Sequence, residues 1–355
     1  MRRRSAWMIP VLILAACSGQ DPSSPSAIAS PAVSSSPSTA TTPHLPSPPR
    51  TTPAPSRDLA FEMETFPVPP GTHPHDVAPA ANGGIWYTAQ HTGRLGWLDP
   101  ATGETREIPL GTGSAPHGVI VGPDDAAWVT DGGLNAIVRV DGATDEVTVF
   151  RLDGANANLN TAAFDGDGTL WFTGQAGVYG RVDPATGAVD VFEAPRGQGP
   201  YGITATRNGE VGFSSLAGSY LGVIDRATGA VTQLDTPTPG GGARRVWSDS
   251  RGRLWVTEWF SGDLAMYDPV TGTWAEWPLP GGNPQPYAVY VDELDAVWVT
   301  DFGGNALHRF DPSSEAWLTF EHASQPAAVR QLLGRAGEVW GAESAADQLF
   351  VMRFD

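Results

Sequence analysis

The stretch Leu170-Trp171-Phe172-Thr173 is one copy of a phrase that returns seven times along the chain and decides the fold. Gly212 holds the tryptophan position in one copy, and successive copies are 42, 43, 41, 43, 43 and 42 residues apart. A period in the forties, built of short β-rich runs, is the signature of four-stranded blades that stack around an axis. We therefore predict an all-β, seven-bladed β-propeller. The tryptophans of the other six copies are Trp86, Trp128, Trp171, Trp255, Trp298 and Trp340.

One blade can be read directly from residues 156–195. Runs rich in Val, Phe, Trp and Thr alternate with breaks of Gly, Asp and Pro, which is the pattern of an antiparallel meander. The third break, Asp183 to Gly187, recurs in other blades because Asp caps a turn and Gly adopts its left-handed position. The predicted strands are 159–164, 169–173, 178–182 and 189–194.

The last blade lacks a fourth strand of its own, since the sequence stops at Asp355 where the third turn is expected. Residues 61–66, Phe-Glu-Met-Glu-Thr-Phe, read like a fourth strand such as 189–192. We predict that this N-terminal segment supplies the outer strand of the last blade and closes the ring. Closure of this kind leaves no exposed sheet edge that could aggregate.

The first 17 residues have the pattern of a lipoprotein signal peptide. Three arginines precede an apolar run too short to span a bilayer, and the run ends in Leu14-Ala15-Ala16-Cys17. The alternative is an ordinary secretory signal with a chance cysteine. Cys17 is the only cysteine, so a lipidated Cys17 leaves none for a disulfide. We predict an exported protein of the cell envelope, lipid-anchored at Cys17.

The rest of the chain divides into a tether and a domain. Residues 18–58 are mostly Ser, Thr, Pro and Ala, which predicts a disordered tether because so little apolar surface is available to bury. Residues 59–355 suffice for one large propeller domain. Lysine is absent and the formal net charge is −18, which argues against nucleic-acid binding and against direct adsorption on anionic lipid. We expect a monomer that touches the membrane only through its anchor.

Candidate functional residues are sought at one end of the propeller. The loops before the first strand and after the second strand of each blade emerge near the axis on the same face, which we call the mouth, whereas the other face carries repetitive turns. Four of the seven histidines fall in these loops. This enrichment favours ligand binding, although mouth loops are also polar simply because they are hydrated. The predicted ligand-binding residues are His75, His91, Tyr201, Arg244, Trp259, Tyr287 and Gln325, and the candidate metal ligands are Asp131, Glu258 and Asp301.

The repeated phrases resemble those of the virginiamycin B lyase (streptogramin lyase) family over residues 61–355. The resemblance implies a lyase that opens a cyclic depsipeptide lactone by β-elimination, with Mg²⁺ bound at the mouth. That chemistry needs a base near the Cα–H, a cation for the enolate charge and a proton for the leaving carboxylate. The phrases that carry the resemblance are Ala115-Pro116-His117-Gly118-Val119, Leu170-Trp171-Phe172-Thr173, Pro200-Tyr201-Gly202-Ile203 and Leu254-Trp255-Val256-Thr257-Glu258-Trp259.

The family's catalytic residues can be carried over position by position. The family has a Pro-His before the sixth blade, where this chain has Pro286-Tyr287, and a Glu-Pro-His before the seventh, where we align Gln325-Pro326-Ala327. The family glutamate after the seventh tryptophan is present as Glu343. Since a neutral glutamine is a poor ligand for a hard dication, the resemblance implies that activity by the family mechanism is lost.

Three functional hypotheses follow from the sequence. The first is a lipid-anchored propeller that binds a small polar or peptidic ligand at its mouth without streptogramin lyase activity. The second is an active metal-dependent lyase with a relocated site, in which His75, His117 and Asp131 replace the family residues. In this reading His117 is the catalytic candidate and Mg²⁺ the cofactor, whereas Glu343 is the catalytic candidate at the position that the family resemblance implies. The third is a propeller that binds other proteins at the cell surface.

Overall fold

The computed structural model describes residues 59–355, so the predictions for the signal peptide, Cys17 and the tether lie outside the described residues. Residues 59–355 form 28 strands in seven four-stranded antiparallel sheets, which confirms the seven-bladed propeller. No helix in this part of the chain is long and apolar enough to cross a membrane.

Each blade is a meander that runs from the axis to the rim. The first strands of neighbouring blades contact each other around the axis, so they form the inner wall. After β1 (Phe61–Pro67), the blades are β2–β5 (Pro74–Pro79, Ile85–Ala89, Arg94–Leu98, Thr105–Pro109), β6–β9 (Pro116–Val121, Ala127–Asp131, Ala136–Val140, Val147–Arg151), β10–β13 (Leu159–Phe164, Leu170–Gly174, Val178–Val182, Val189–Glu193), β14–β17 (Pro200–Ala205, Val211–Ser215, Tyr220–Ile224, Val231–Asp235), β18–β21 (Ala243–Ser248, Leu254–Glu258, Asp263–Asp268, Thr273–Pro278), β22–β25 (Pro286–Val291, Val297–Asp301, Ala306–Asp311, Ala316–Glu321) and β26–β28 (Val329–Arg335, Glu338–Glu343, Gln348–Phe354).

The ring closes as the sequence predicts. β1 pairs antiparallel with β28, from Phe61 opposite Phe354 to Pro67 opposite Gln348, and completes the seventh blade as its outer strand. Phe66 is buried and stacks on Trp340 with the ring centroids 5.5 Å apart. The N-terminal strand is therefore held both by backbone hydrogen bonds and by the blade's core.

The repeated tryptophans explain why the blades share one phrase. All six are buried on the second strand of their blade, between two sheets. In four of them the indole N–H donates to an Asp of the hairpin that precedes the strand, as Trp171 does to Asp165 over 2.9 Å. In the seventh blade the indole donates instead to Glu338, the first residue of the same strand. A buried indole needs such a partner, so the Asp of the hairpin and the Trp of the strand recur together.

A β-bulge interrupts the first strand of every blade and shapes the mouth. In the first blade the register shifts between Pro74 and Val77, and the same shift occurs in the other six blades. A bulge breaks the alternation of side chains across a strand. Two consecutive residues, such as His75 and Asp76, can therefore both line the axis.

Candidate functional site

Two stacked rings of side chains line the axis. The mouth ring is formed by the second residue of each first strand, and the inner ring by the third residue. All seven inner-ring residues line a narrow cavity below the mouth ring. The mouth ring is His75, His117, Asn160, Tyr201, Arg244, Tyr287 and Arg330, and the inner ring is Asp76, Gly118, Thr161, Gly202, Arg245, Ala288 and Gln331.

One side of the mouth ring, the histidine half, consists of His75, Asp76 and His117. The His75 and His117 rings lie 4.0 Å apart, and His75 Nδ1 donates to Asp76 Oδ1 over 2.7 Å. His117 Nδ1 donates to the Asn160 carbonyl over 3.0 Å. Gly118 permits this packing, because a Cβ there would lie 2.7 Å from the same carbonyl oxygen.

Burial sets the charge of the histidine half. Desolvation, helped by the positive charges of Arg245, Arg330 and Arg244, lowers the pKa of His75 well below 6.5. Desolvation and the neighbouring His75 likewise lower the pKa of His117. Both imidazoles are thus neutral at neutral pH. With Nδ1 protonated and bound to Asp76, His75 keeps its lone pair on Nε2, as a base or a metal ligand requires.

The opposite side, the arginine–aromatic half, consists of Arg244, Tyr201, Trp259, Tyr287 and Phe302. The Arg244 guanidinium carbon lies 3.5 Å from the Tyr287 ring centroid, 4.2 Å from that of Trp259 and 4.7 Å from that of Tyr201. Arg244 Nη2 also donates to the Tyr201 hydroxyl over 3.0 Å. Phe302 stacks on Tyr287 at 4.8 Å. Cation–π contacts on three rings fix this guanidinium at the mouth.

A bridge of side chains separates the mouth from the cavity beneath it. The Tyr201 and Tyr287 hydroxyls, from the fourth and sixth blades, are hydrogen-bonded to each other. Below them, Arg245 Nη2 lies 3.4 Å from Asp76 Oδ1 across the axis, and both side chains are buried. Burial raises the pKa of Asp76, and the guanidinium of Arg245 opposes that rise.

Asp131 and Asp301, expected as metal ligands, are not part of the cluster of His75 and His117 and organise turns instead. Asp131 accepts hydrogen bonds from Ser114 Oγ and from the amides of Ala115 and Leu134. Asp301 accepts three backbone amides in the same way, from the residues that follow its strand and from Gln285. The carboxylate that actually accompanies His75 and His117 is Asp76, and ligand atoms of these three lie within 4.8 Å of one another.

Glu258 belongs to a separate carboxylate cluster in the fifth blade, with Asp263 and Glu276. Glu258 is fully buried, and its Oε1 has no hydrogen-bond partner among the described residues. Burial, together with the facing carboxyl group of Glu276, raises the pKa of Glu258 to about 8. Two facing carboxylates in such a site must share a proton or a cation.

Glu343 points into the seventh blade and contacts His322. Its Oε1 lies 2.8 Å from His322 Nδ1, and its Oε2 accepts Gln348 Nε2 over 2.5 Å. Although burial alone would raise the pKa of Glu343, the hydrogen bonds from His322, Ser324 and Gln348 lower it. Both oxygens are therefore already occupied by neighbours.

The remaining predicted ligand residues, His91 and Gln325, are exposed. The His91 ring lies at the rim, 4.1 Å from His73. The strand register also corrects our alignment of the seventh blade. Val329 faces Glu343 as Pro286 faces Asp301, so the counterpart of Tyr287 is Arg330, three residues beyond Ala327.

Sequence reasoning therefore missed Asp76, Arg330 and the partners of Glu258. Asp76 directly follows a predicted histidine, and only the bulge brings it to the axis. In most blades a Pro precedes the mouth-ring residue of the first strand, but in the seventh blade that position is Val329. We therefore aligned the nearby Pro326 with the prolines of the other blades, which misplaced the mouth-ring residue. Asp263 and Glu276 approach Glu258 only through the pairing of β19, β20 and β21.

The protein is thus a seven-bladed β-propeller with a polar mouth, which is lined in part by histidines from the first strands. Its sequence matches the model of the Virginiamycin B lyase family over residues 57–310, which is more than half of the chain. The chain belongs to this family. No curated protein matches it closely enough to count as a relative.

Solved structures agree with the fold. The selenomethionine-substituted virginiamycin B lyase from Staphylococcus aureus is 19% identical and superposes with a TM-score of 0.77, covering 83% of this chain and 99% of its own. A streptogramin B lyase is 20% identical, also with a TM-score of 0.77, over 83% and 98% of the two chains. The extracellular domain of a putative hybrid two-component system from B. thetaiotaomicron is 15% identical, with a TM-score of 0.64, over 82% and 42%. These likenesses concern the fold.

Proposed function

We propose that the protein is an exported, lipid-anchored propeller that binds a small polar or peptidic ligand at its mouth and does not linearise streptogramins. The observation that carries this proposal is the Arg244 guanidinium, which lies 3.5 Å from the Tyr287 ring at the position where the family resemblance implies a catalytic base. A guanidinium fixed among aromatic rings offers directed donors and flat apolar surface, which together suit a peptide-like ligand.

The chemistry of these positions supports the absence of lyase activity. β-Elimination needs a group that removes a proton from Cα at neutral pH. The mouth-ring residues of the sixth and seventh blades are Tyr287 and Arg330. Burial raises the pKa of Tyr287, so its hydroxyl stays protonated. Arginine also stays protonated, and Glu343 is engaged by His322 and Gln348.

The test is an assay of streptogramin B linearisation with Mg²⁺ present. Elimination is an isomerisation, so a product would elute differently in liquid chromatography at unchanged mass, whereas hydrolysis would add the mass of water. We expect no product of either kind, with the S. aureus virginiamycin B lyase as positive control. A new peak of unchanged mass that grows with enzyme concentration would contradict the proposal.

A second candidate function is a metal-dependent lyase that uses the histidine half. It is favoured by the ligand atoms of His75, Asp76 and His117, which lie within 4.8 Å of one another, and by the neutral state of both imidazoles. Two imidazoles and one carboxylate suit a transition metal better than Mg²⁺. Under this hypothesis His117→Ala abolishes turnover and Glu343→Gln leaves it intact. The reverse result would place the chemistry at the family's usual position.

The magnesium of the family does not fit the two axial rings, because their single carboxylate, Asp76, is already paired with Arg245. Mg²⁺ prefers oxygen ligands, and the Glu258 cluster supplies three carboxylates within 4.8 Å. If the protein holds Mg²⁺, we place it there, where it would neutralise the buried Glu258 and its two neighbours rather than activate a substrate. Added Mg²⁺ should then raise the melting temperature, and Glu258→Gln should remove the increase.

Export and anchoring complete the proposal. The segment Leu14-Ala15-Ala16-Cys17 supports a lipidated N-terminus, and the net charge of −18 argues against direct adsorption on anionic lipid. Changing Cys17→Ala should move the monomeric protein from the membrane fraction to the soluble exported fraction. Continued retention of the variant in the membrane fraction would indicate a different attachment.

A further inference from the structure

The charges of the mouth are opposite in sign to those of the whole protein. The two axial rings contain three arginines, Arg244, Arg245 and Arg330, and a single carboxylate, Asp76. The chain as a whole carries a formal charge of −18. A cluster of arginines at the axis of such an acidic protein is therefore a local feature and does not follow from composition.

Two of these three arginines lack an ionic partner. Arg245 is paired with Asp76 at 3.4 Å. Within residues 59–355, Arg244 and Arg330 form no ion pair; Arg244 donates to the Tyr201 hydroxyl, and Arg330 to the carbonyl of Ala328 over 3.1 Å. Arg244 Nε is also buried without a hydrogen-bond partner in this part of the chain. A buried donor without a partner costs free energy, which a bound acceptor would recover.

Aromatic rings join the two unpaired guanidiniums. Arg244 lies on Tyr287, Tyr287 stacks on Phe302, and the Arg330 guanidinium carbon lies 5.5 Å from the Phe302 centroid. The half-buried Trp259 packs edge-on against both Tyr287 and Phe302, at 5.6 Å from each. The result is an aromatic surface that both guanidiniums contact.

We propose that the ligand is a small organic carboxylate with a flat apolar group, such as a peptide that ends in an aromatic residue with a free C-terminus. The carboxylate would bind Arg244 and Arg330, because a guanidinium fork matches a carboxylate in shape and charge. The apolar group would lie against Trp259 and Phe302. This inference rests on the proposed ligand-binding function and narrows its ligand to an acid.

The experiment compares two probes that differ only in charge, N-acetylphenylalanine and its amide, by titration calorimetry with the full exported protein. We expect the acid to bind about tenfold more tightly than the amide, and added salt to weaken only the acid. Arg244→Gln and Arg330→Gln should each remove the preference. Arg251→Gln, an exposed charge change on the opposite face, should leave it unchanged.

The outcomes separate this inference from the proposed function. Equal binding of acid and amide would overturn the acidic ligand and leave a binding mouth standing, whereas binding of neither would overturn both. Inorganic phosphate that binds as tightly as the acid would overturn the carboxylate class. Since Arg244 also supports the aromatic packing, the melting curve of each variant is recorded without ligand. If Arg244→Gln has a lower melting temperature than the parent protein, the binding data of Arg330→Gln decide whether the carboxylate is recognised.

Discussion

The two halves of the mouth place different chemistry on the same backbone position. His75 and His117 stand where Arg244 and Tyr287 stand on the other side of the ring. Desolvation turns the histidines into neutral groups, because imidazole loses its proton readily when water is removed. Arginine cannot deprotonate in this way, and in the opposite half aromatic faces replace its hydration. Equivalent mouth-ring positions of one scaffold thus carry neutral imidazoles on one side and a permanently positive guanidinium on the other.

Opening the ring of blades should have the largest effect, since the geometry of both halves of the mouth depends on a closed ring. Deleting residues 58–69 removes β1 and the buried Phe66, whose loss alone is worth about 3–5 kcal/mol, and exposes the edge of β28. We expect aggregation or loss of the cooperative melt, followed by differential scanning fluorimetry. Deleting residues 18–55 should change nothing; similar behaviour of the two truncations would show that β1 does not close the ring.

The next largest effect should come from Asp76, which connects the two halves through Arg245. Asp76→Asn leaves the buried Arg245 without its counter-ion, which should cost about 3–5 kcal/mol in urea unfolding. Asp167→Asn is the matched control, since it breaks the exposed pair with Arg226 and should cost less than about 1 kcal/mol. Equal losses in the two variants would mean that the Arg245 charge is hydrated.

Raising the pH should weaken the side of the ring that carries Arg244. Glu258 in the same blade keeps its proton in the folded state up to about pH 8 but loses it near its ordinary value when unfolded. The unfolded chain therefore binds fewer protons in this window, and stability falls as the pH rises through it, by up to about 1.4 kcal/mol per pH unit. Glu258→Gln should flatten that fall. A parent protein with equal melting temperatures at pH 6 and pH 8 would argue against the shared proton.

Acid should act in the opposite sense on the histidine half. The unfolded chain takes up protons on His75 and His117 below about pH 6.5, whereas the folded protein resists them until lower pH. Stability is thus lost as the pH falls, by up to about 1.4 kcal/mol per pH unit for each histidine. His117→Gln should reduce the slope of the melting temperature between pH 7 and pH 5. An unchanged slope would indicate that other groups govern acid unfolding.

The sequence predicts those features of the fold and of the mouth that arise from residues close together in the chain. The period of the tryptophans and the strand-like Phe61–Phe66 segment predict seven blades and their closure, because each blade is built from neighbours in sequence. The mouth positions of Tyr201, Arg244 and Tyr287 follow from the same register. Their contacts do not, since they join different blades around the axis.

Asp76 and Arg330 escaped prediction for a related reason. An alternating strand would turn Asp76 away from His75, and only the bulge, which depends on pairing with β3, keeps both at the axis. Arg330 was hidden by a change of spacing before the last blade, where proline no longer marks the mouth-ring residue. Local sequence patterns thus predict where the mouth lies. The positions of the charged residues within it depend on strand pairing and are known only from the structure.

The pairing of β1 with β28 also has a consequence for the order of events during folding. Every other strand pairs with a strand next to it in the chain, so each blade can form early from short loops. β1 is made before all of its partners, yet its place exists only after β28 has formed. Until then β1 is an unpaired strand that carries the apolar residues Phe61 and Phe66. The longer it stays unpaired, the more opportunity the chain has to associate incorrectly.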